Sequence, residues 1–302
     1  MRFKKKHLNR VVTIILIFSA ALIFQNCTSA KLTVPAVVQQ PTGKYLYGKF
    51  VWRDLLTYDV SAVKKFYGEL FGWTFADGSA ASSDYTTILK DGTPIGGIVF
   101  VEDIREKGYS AQWMSYLSVP DVDKSVALFK KEGGKVTREP KNINGRGRMA
   151  IVQDPQGALI ALLHSAVGDP LDEEPQVYEW LWEENLTTDV EAAVSFYQAL
   201  VGYDSEELKD IQISGTTWHY YVMNKDGYAR AGITQLPWKG VRPNWLPYIK
   251  VDAPQPLMSK VEKLGGKVYL PPNKDIRQGS VAFIADPTGA VLALQKWPIN
   301  QP

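Results

Sequence analysis

The sequence is poor in the residues that most often hold metals or form covalent intermediates. It contains one cysteine, Cys27, and three histidines in 302 residues. A single cysteine excludes a disulfide within the chain. Because that cysteine lies near the N-terminus and there is no Gly-x-Ser-x-Gly motif, nothing indicates a nucleophile relay. A metal centre built on histidine or cysteine clusters is also disfavoured, since only His164 and His219 follow the first ten residues.

The sequence also carries little net charge, and its positive charge is concentrated at the start. The formal net charge is +2 at pH 7, yet five basic residues lie among the first ten, so the remainder is mildly acidic. No stripe of lysine and arginine interleaved with aromatic residues is present, which argues against a nucleic-acid partner. A length of 302 residues with 45% hydrophobic residues fits about two globular domains of ~150 residues each.

Residues 1–27 have the three-part layout of a secretory signal, with a basic start, an apolar region over 11–24 and a polar stretch that ends at Cys27. The apolar region is short of the ~20 residues that a membrane-spanning helix needs. Cys27 stands where a lipoprotein signal has its acylated residue, so the segment resembles a bacterial lipoprotein leader, although the residues just before the cysteine depart from the usual pattern. We expect a lipid anchor on Cys27 and a location in the cell envelope, facing the periplasm or the exterior. The alternative is cleavage near Ala30, which would give a secreted soluble protein.

Two stretches, residues 50–73 and 180–203, repeat one design 130 positions apart. Each reads as a buried strand, an aspartate that can cap a helix, and an amphipathic helix that ends at a glycine. A repeat this long indicates a duplicated domain rather than a solenoid, whose units are far shorter. The identical pairs include Trp52 and Trp182, Leu56 and Leu186, Thr57 and Thr187, Asp59 and Asp189, Val60 and Val190, Phe66 and Phe196, Tyr67 and Tyr197, and Gly72 and Gly202.

Each half continues with short strands and then a second copy of the same order. In the first half we expect strands near 73–76, 85–90 and 95–101, the last two joined by an Asp-Gly hairpin turn. A second unit starts at residue 113 and includes the turn Asp-Pro-Gln-Gly at 154–157, which has a counterpart, Asp-Pro-Thr-Gly, in the second half. The predicted organisation is a proline-bearing tether over 28–47, a domain over 48–166, an acidic linker over 167–177 and a domain over 178–298.

A strand, a helix closing on Phe-Tyr, three strands and a second copy ending in Asp-Pro-x-Gly resemble the vicinal oxygen chelate superfamily, which has the glyoxalase, bleomycin-resistance and extradiol dioxygenase fold. The resemblance covers nearly all of residues 48–298. It implies an α+β fold of two tandem glyoxalase-like domains, each made of two βαβββ modules that curve around a cavity. It does not choose an activity, because the superfamily includes both metal enzymes and metal-free binding proteins.

The resemblance also allows the metal positions to be tested. Metal-using members place a His, Gln or Glu seven residues before the helix-leading aspartate, and a Glu seven residues after the aspartate of Asp-Pro-x-Gly. Indole, aliphatic and thioether side chains stand at these positions here, and a thioether is a soft ligand poorly suited to the divalent ions involved. The resemblance therefore implies cavities without metal or other cofactor. The residues expected at these cavity positions are Trp52, Met114 and Ala161 in the first half and Trp182, Leu246 and Ala293 in the second.

Asp54 and Glu184 are the candidates for a proton-handling group. Each lies two residues after the tryptophan of its strand, so alternation places the carboxylate on the same cavity-facing side. A partly desolvated carboxylate there suits a general base. The alternative is a carboxylate held by hydrogen bonds to the sheet rim or to a neighbouring arginine. Tyr116 and Tyr248 face the same space, where they either donate hydrogen bonds to a ligand or pack as aromatic residues.

The remaining candidates have weaker signals. The two tryptophans at the counted positions either stack on a flat ligand or fill the cavity. Strand alternation turns His164 to the face opposite Ala161, and His219 has no partner histidine nearby. Residues 144–148, Asn-Gly-Arg-Gly-Arg, combine glycine with positive charge but precede a strand, so they lack the helix N-terminus of a phosphate cradle.

These observations favour an envelope-anchored protein of this superfamily whose metal-free cavities bind small, aromatic or amphipathic molecules. One alternative is a lyase, isomerase or dioxygenase that uses Asp54 or Glu184 as general base. Another is a scaffold whose cavities are filled by side chains and whose outer surface binds an envelope partner.

Overall fold

The structure is a computed structural model that describes residues 34–78, 85–102, 111–209, 212–213, 216–237 and 241–298. The leader, with Cys27 and the alternative cleavage point at Ala30, lies outside the described residues. None of the helices in the described part of the chain is long and apolar enough to span a bilayer.

The first half forms one eight-stranded sheet and two helices. The sheet order is β2-β3-β4-β1-β5-β8-β7-β6, in which β1 and β5 pair antiparallel at the centre while β4 lies parallel to β1 and β8 parallel to β5. This order is two βαβββ modules joined through their first strands. The elements are β1 (Phe50–Thr57), α1 (Val60–Phe71), β2 (Thr74–Asp77), β3 (Tyr85–Lys90), β4 (Thr93–Phe100), β5 (Gln112–Ser118), α2 (Val122–Lys131), β6 (Lys135–Ile143), β7 (Gly147–Gln153) and β8 (Leu159–Ser165).

The second half repeats this sheet in the order β10-β13-β14-β9-β15-β18-β17-β16 and adds the two-residue strands β11 and β12. Its last helix is short and follows a 3-10 turn that has a proline in its first positions. The elements are β9 (Trp180–Thr187), α3 (Val190–Val201), β10 (Asp204–Leu208), β11 (Gln212–Ile213), β12 (Thr216–Thr217), β13 (Tyr220–Lys225), β14 (Tyr228–Gln235), β15 (Asn244–Val251), α4 (Met258–Lys263), β16 (Lys267–Leu270), β17 (Val281–Ala285) and β18 (Val291–Lys296). The predicted α+β fold of two tandem domains is confirmed.

Local signals position the first helix of each half as predicted. The Asp59 side chain accepts a hydrogen bond from the Ala62 backbone N–H at 2.9 Å, and Asp189 does the same for Ala192 at 3.0 Å. Such N-caps satisfy backbone donors that the first helical turn leaves unpaired. Both helices end at a glycine in the left-handed conformation. The strand that precedes each cap is thereby held in a fixed register relative to its helix.

The two halves share their hydrophobic cores. One buried cluster joins α2 of the first half to α3 of the second, and the other joins α1 to α4. The helices therefore lie between the two sheets, and the opposite face of each sheet is left to form a cup. The two domains therefore share these two clusters, and each keeps one buried cluster of its own on the other face of its sheet.

Reciprocal hydrogen bonds join the halves across this interface. The hydroxyl of Tyr67 on α1 donates to Asp286 Oδ2 at 3.1 Å, and that of Tyr197 on α3 donates to Asp154 Oδ2 at 2.9 Å. Each aspartate is the first residue of an Asp-Pro-x-Gly turn, and its other oxygen accepts backbone N–H groups of that turn. Each of these hydrogen bonds joins the helix that closes on Phe-Tyr in one half to the Asp-Pro-x-Gly turn of the other half. These are the two motifs that carried the family resemblance.

Residues 34–47, the described part of the predicted tether, are packed against the first half. Val34 and Val37 are buried, and the Val34 N–H donates to Asn144 O at 3.3 Å. Further along, the N–H groups of Thr42 and Gly43 donate to Val167 O at 3.0 and 3.1 Å. The first half therefore incorporates this segment into its surface.

The expected linker is also packed. Asp169 is fully buried and accepts hydrogen bonds from Ser118, Ser165 and the Leu46 N–H. Asp172 forms ion pairs with Lys49 and Arg230, one from each half. The linker thus helps to fix the two halves relative to each other.

Candidate functional site

The residues predicted to line a cavity lie together on the outer face of each sheet. Strand pairing places Asp54 beside Met114 and Glu184 beside Leu246. We call the two faces the first cup and the second cup. The residues aligned across neighbouring strands are Trp52, Tyr116 and Ala161 in the first cup and Trp182, Tyr248 and Ala293 in the second.

In the first cup, the carboxylate of Asp54 is surrounded by hydrogen-bond donors. Its Oδ1 accepts from Trp52 Nε1 at 2.8 Å and from the Tyr85 hydroxyl at 2.9 Å, and its Oδ2 accepts from the Tyr116 hydroxyl at 2.6 Å. The Arg146 Nη2 donates to the Tyr85 hydroxyl at 2.9 Å. The carboxylate thus acts as an acceptor that holds three side chains in place. The donors to Asp54 are an indole and two tyrosine hydroxyls, rather than the sheet rim or an arginine.

The second cup contains the same cluster. Glu184 Oε1 accepts from the Tyr248 hydroxyl at 2.9 Å, while its Oε2 accepts from the Tyr220 hydroxyl at 3.0 Å and from Arg277 Nη2 at 2.6 Å. The indole of Trp182 donates to the Tyr220 hydroxyl at 3.1 Å. Each cup therefore holds one tryptophan, one carboxylate, two tyrosines and one arginine, and we call each group the carboxylate cluster.

The tyrosines of both clusters remain protonated donors at neutral pH. Burial, and then the charge of Asp54, raises the pKa of Tyr116, and burial followed by the charge of Glu184 raises the pKa of Tyr248 in the same way. For the Arg277 guanidinium, burial opposes the charge, but Glu184 and the neighbouring tyrosines raise its pKa overall. Each cluster therefore contains one guanidinium cation near one carboxylate.

Glycine makes room for these hydroxyl groups. Gly97 on β4 and Gly232 on β14 are the strand partners of Asp54 and Glu184. A Cβ atom at Gly97 would overlap the Tyr85 hydroxyl, and one at Gly232 would overlap its counterpart, the Tyr220 hydroxyl. Each carboxylate cluster therefore requires a glycine, which has no side chain, at this position of the neighbouring strand.

Each arginine reaches its cup from a loop between two strands, and residues at that loop have left-handed backbone conformations. In the first half, Arg146 lies between Gly145 and Gly147, which have φ of 82° and 119°. In the second half, Arg277 and Gln278 themselves have φ of 46° and 55°. A non-glycine residue in this region costs ~1–2 kcal/mol, so the contacts of the Arg277 side chain must offset that cost.

The sequence interpretation missed four members of the clusters, namely Tyr85, Tyr220, Arg146 and Arg277. Arg146 belonged to the Asn-Gly-Arg-Gly-Arg run that was set aside for lacking a helix N-terminus. The available signal was a pair of glycines bracketing one arginine before a predicted strand. Of the two histidines, His164 stacks on Tyr45 with ring centroids 4.7 Å apart, and His219 is exposed.

The side chains at the family's metal positions do not fit a divalent cation. Indole N–H groups are donors, and Ala161 and Ala293 carry no donor atom for a metal. In the first cup the Arg146 guanidinium carbon lies 4.2 Å from the Trp52 ring centroid, so a permanent cation already occupies this region. No group of three or more His, Cys, Asp or Glu side chains in the described ranges is arranged to hold a metal ion.

The cups differ in accessibility. Arg146 and Trp52 are each 1% exposed, because the first cup is covered by residues 34–38. The side chain of Arg277 is 29% exposed, and Trp182 is only partly buried. The second cup is therefore the accessible one.

A cavity of about 210 Å³ lies elsewhere, at the junction of the halves between the turn after Asp154 and helix α3. It contains no member of either carboxylate cluster. Its lining residues are Glu132, Pro155, Gln156, Ala192, Ser195 and Phe196.

Comparison with known proteins agrees with this architecture. Residues 49–162 match the family model of the Glyoxalase/Bleomycin resistance protein/Dioxygenase superfamily. The Mycobacterium tuberculosis protein "Putative glyoxylase CFP32" is 30% identical over 259 residues, which cover 84% of this chain and 96% of that protein. The "Anthracycline biosynthesis protein DnrV" of Streptomyces peucetius is 28% identical, over 82% of this chain and 92% of its own length.

Solved structures show the same fold at low sequence identity. A Mn(II)-bound glyoxalase from Novosphingobium aromaticivorans has a TM-score of 0.55 and 14% identity, over 83% of this chain and 82% of its own. Homoprotocatechuate 2,3-dioxygenase from Brevibacterium fuscum has a TM-score of 0.57 and 16% identity, over 88% of this chain and 86% of its own. Together with the relative at 30% identity, the shared module order and the matched motifs, these likenesses establish that the chain belongs to the glyoxalase/bleomycin resistance protein/dioxygenase superfamily.

Proposed function

We propose that the protein binds a small molecule in the second cup without using a metal ion, and that it does so while anchored to the cell envelope through Cys27. The observation that carries the binding proposal is the carboxylate cluster. In each half its tryptophan stands at a metal position of the family, and the cluster is partly exposed only in the second half.

The cluster supplies what a metal-free site needs. Arg277 offers directional N–H donors, the indole of Trp182 offers a flat apolar surface, and Leu246 and Phe283 add apolar walls. Glu184 holds the arginine and both tyrosines, so these donors are oriented before a ligand arrives. Such pre-orientation lowers the entropy lost on binding.

Metal analysis tests the proposal that the protein acts without a metal ion. The purified protein is dialysed in turn against Zn, Ni, Mn and Fe(II) salts and then against metal-free buffer, and its metal content is measured by mass spectrometry. We expect less than stoichiometric metal in the folded protein. One tightly held ion per chain would contradict the proposal.

Ligand binding is tested in buffer containing EDTA. Indole, phenol and benzamide serve as probes, and saturation-transfer NMR detects their binding. We expect binding that Trp182→Ala weakens strongly, because the stacking surface of the second cup is lost. Trp297→Ala is the matched control, since Trp297 is 48% exposed and lies outside both cups. Equal effects of the two substitutions would count against the second cup.

Envelope anchoring is tested with Cys27→Ser. The unchanged protein is expected to enter the detergent phase of a Triton X-114 extraction and to incorporate labelled palmitate, and the variant is expected to do neither. If both proteins stay in the aqueous phase and neither incorporates palmitate, ordinary secretion is favoured instead.

A further inference from the structure

The first cup is occupied by a segment of the protein's own chain. The contacts of that segment indicate which kind of ligand such a cup can bind. Residues 34–38 run across the cup, and Arg146 Nε donates to the Pro35 carbonyl oxygen at 3.0 Å. Val37 is 4% exposed and belongs to the buried apolar cluster that includes Trp52 and Tyr116. The occupant thus offers a carbonyl oxygen to the guanidinium and a branched apolar group to the aromatic wall.

Arg146, the arginine of the first cup, can donate more hydrogen bonds than the one to Pro35. Its Nη2 donates to Tyr85, but its Nη1 is buried and has no hydrogen-bond partner among the described residues. An arginine presents five N–H donors in a fixed fork. A cup built around such a group suits a ligand rich in acceptor oxygens, as a peptide backbone is.

The second cup has equivalent groups in a more accessible state. Arg277 corresponds to Arg146 and Trp182 to Trp52, and both are more exposed than their counterparts. The Arg277 Nη2 contacts Glu184 and its Nη1 contacts Gln295 at 3.2 Å, which leaves further N–H groups on the same fork. The second cup therefore presents to solvent the groups that hold residues 34–38 in the first.

The charge of the cluster favours a neutral ligand. Glu184 and Arg277 are 2.6 Å apart, so the guanidinium charge is already balanced inside the cup. An anionic ligand would have to compete with Glu184 and would bring a second negative charge near a desolvated carboxylate, which is unfavourable. A carbonyl oxygen accepts a hydrogen bond from the guanidinium without this cost.

We propose that the second cup binds a neutral ligand, a short peptide segment that presents a carbonyl oxygen to Arg277 and a compact branched apolar side chain to Trp182. This inference rests on the proposed function, because it names the class of ligand for the same site.

The test uses the full chain in lipid nanodiscs and isothermal titration calorimetry, with empty nanodiscs as blank. The probe is the peptide acetyl-Val-Pro-Ala-Val-Val-amide, which copies residues 34–38. The anionic comparison is 3-methylbutanoate, which keeps the branched group but replaces the amide by a carboxylate. We expect the peptide to bind at one site per chain and more tightly than 3-methylbutanoate.

Two variants and one control test whether the peptide binds in the second cup. Arg277→Lys keeps a positive charge beside Glu184 but loses the planar fork, so we expect the peptide affinity to fall by about tenfold. Arg148→Lys is the matched control, because Arg148 also pairs with a carboxylate, Asp123, but lies on the surface away from both cups. Val37→Asp should release residues 34–38 from the first cup and raise the stoichiometry from one to two.

The outcomes separate this inference from the proposed function. If 3-methylbutanoate binds more tightly than the peptide, or if Arg277→Lys leaves peptide affinity unchanged, the ligand class is wrong while indole or benzamide binding still supports the site. If neither the peptide nor those small probes bind, both proposals fail. Should Val37→Asp not fold, the Arg277→Lys comparison decides alone.

Discussion

Asn185 provides a test of how closely the two halves correspond. Its strand partners are Ile233 on β14 and Trp245 on β15, and both belong to the core shared by α2 and α3. Asn185 is 0% exposed, and neither its Oδ1 nor its Nδ2 has a hydrogen-bond partner among the described residues. At the equivalent position of the first half stands Leu55, also 0% exposed, between Ile98 and Trp113.

The sign and size of the effect of Asn185→Leu follow from this comparison. An unsatisfied buried polar group costs ~1–3 kcal/mol, and burying a leucine side chain contributes ~1.5–3 kcal/mol. Leucine and asparagine branch at the same atom, so imperfect packing should cost less than ~1.5 kcal/mol. We expect the free energy of unfolding to increase by about 3 kcal/mol, which corresponds to a rise in Tm of about 6–12 °C.

Urea denaturation and calorimetry measure this change. The matched control is the reverse substitution Leu55→Asn, which places an amide in the corresponding apolar site and should lower stability by a similar amount. If Asn185→Leu leaves the protein unchanged or destabilises it, the amide has partners in the folded protein, and the correspondence of the two cores is wrong at this position.

Three other perturbations test separate contacts. Tyr197→Phe removes the hydroxyl that joins α3 to Asp154, and we expect a loss of ~1–3 kcal/mol in urea denaturation; a value equal to wild type would contradict a role for this bond. Burial raises the pKa of Glu183 above its ordinary value of 4.5, although Arg53, whose Nε lies 2.6 Å from Glu183 Oε1, opposes the shift, so the folded state keeps a proton that the unfolded state has lost. Stability should therefore fall as pH rises from 4.5 through the folded-state pKa, and Glu183→Gln should reduce that decline in a pH series of unfolding curves; an unchanged slope would refute the assignment. Gly232→Ala places a methyl group on the Tyr220 hydroxyl, so we expect weaker probe binding in the second cup by calorimetry, and unchanged binding would show that the hydroxyl position is unimportant.

The parts of the fold that depend on local signals could be predicted from the sequence. The helix that starts after Asp59 and ends before Gly72 has the expected bounds, and strand β3 has the expected span of 85–90. The turn at Asp91 and Gly92 has φ of 50° and 81°, as an Asp-Gly hairpin requires. In each of these cases a residue or a short period determines the local geometry.

Contacts between distant segments could not be predicted in the same way. Counting along one strand placed Trp52 and Asp54 in the cup, but Tyr85 and Arg146 enter from other strands and loops at no fixed spacing. The packing of Val37 also has no periodic signature, because it lies in an irregular segment. The pairing of the halves had one usable signal, since a tyrosine on an apolar helix stripe needs a partner for its buried hydroxyl.

The difference between aspartate and glutamate in the two clusters accounts for the different ways in which the two arginines are held. In the first cup the shorter Asp54 contacts the arginine only through the Tyr85 hydroxyl, and Arg146 is also fixed by the Pro35 carbonyl oxygen. In the second cup Glu184 is one methylene longer and bonds the guanidinium directly. A site that exchanges its ligand must keep its cation in place when the ligand leaves, because an unpaired buried charge is strongly unfavourable. Glu184 meets this requirement without an occupant, whereas the first cup meets it with residues of its own chain.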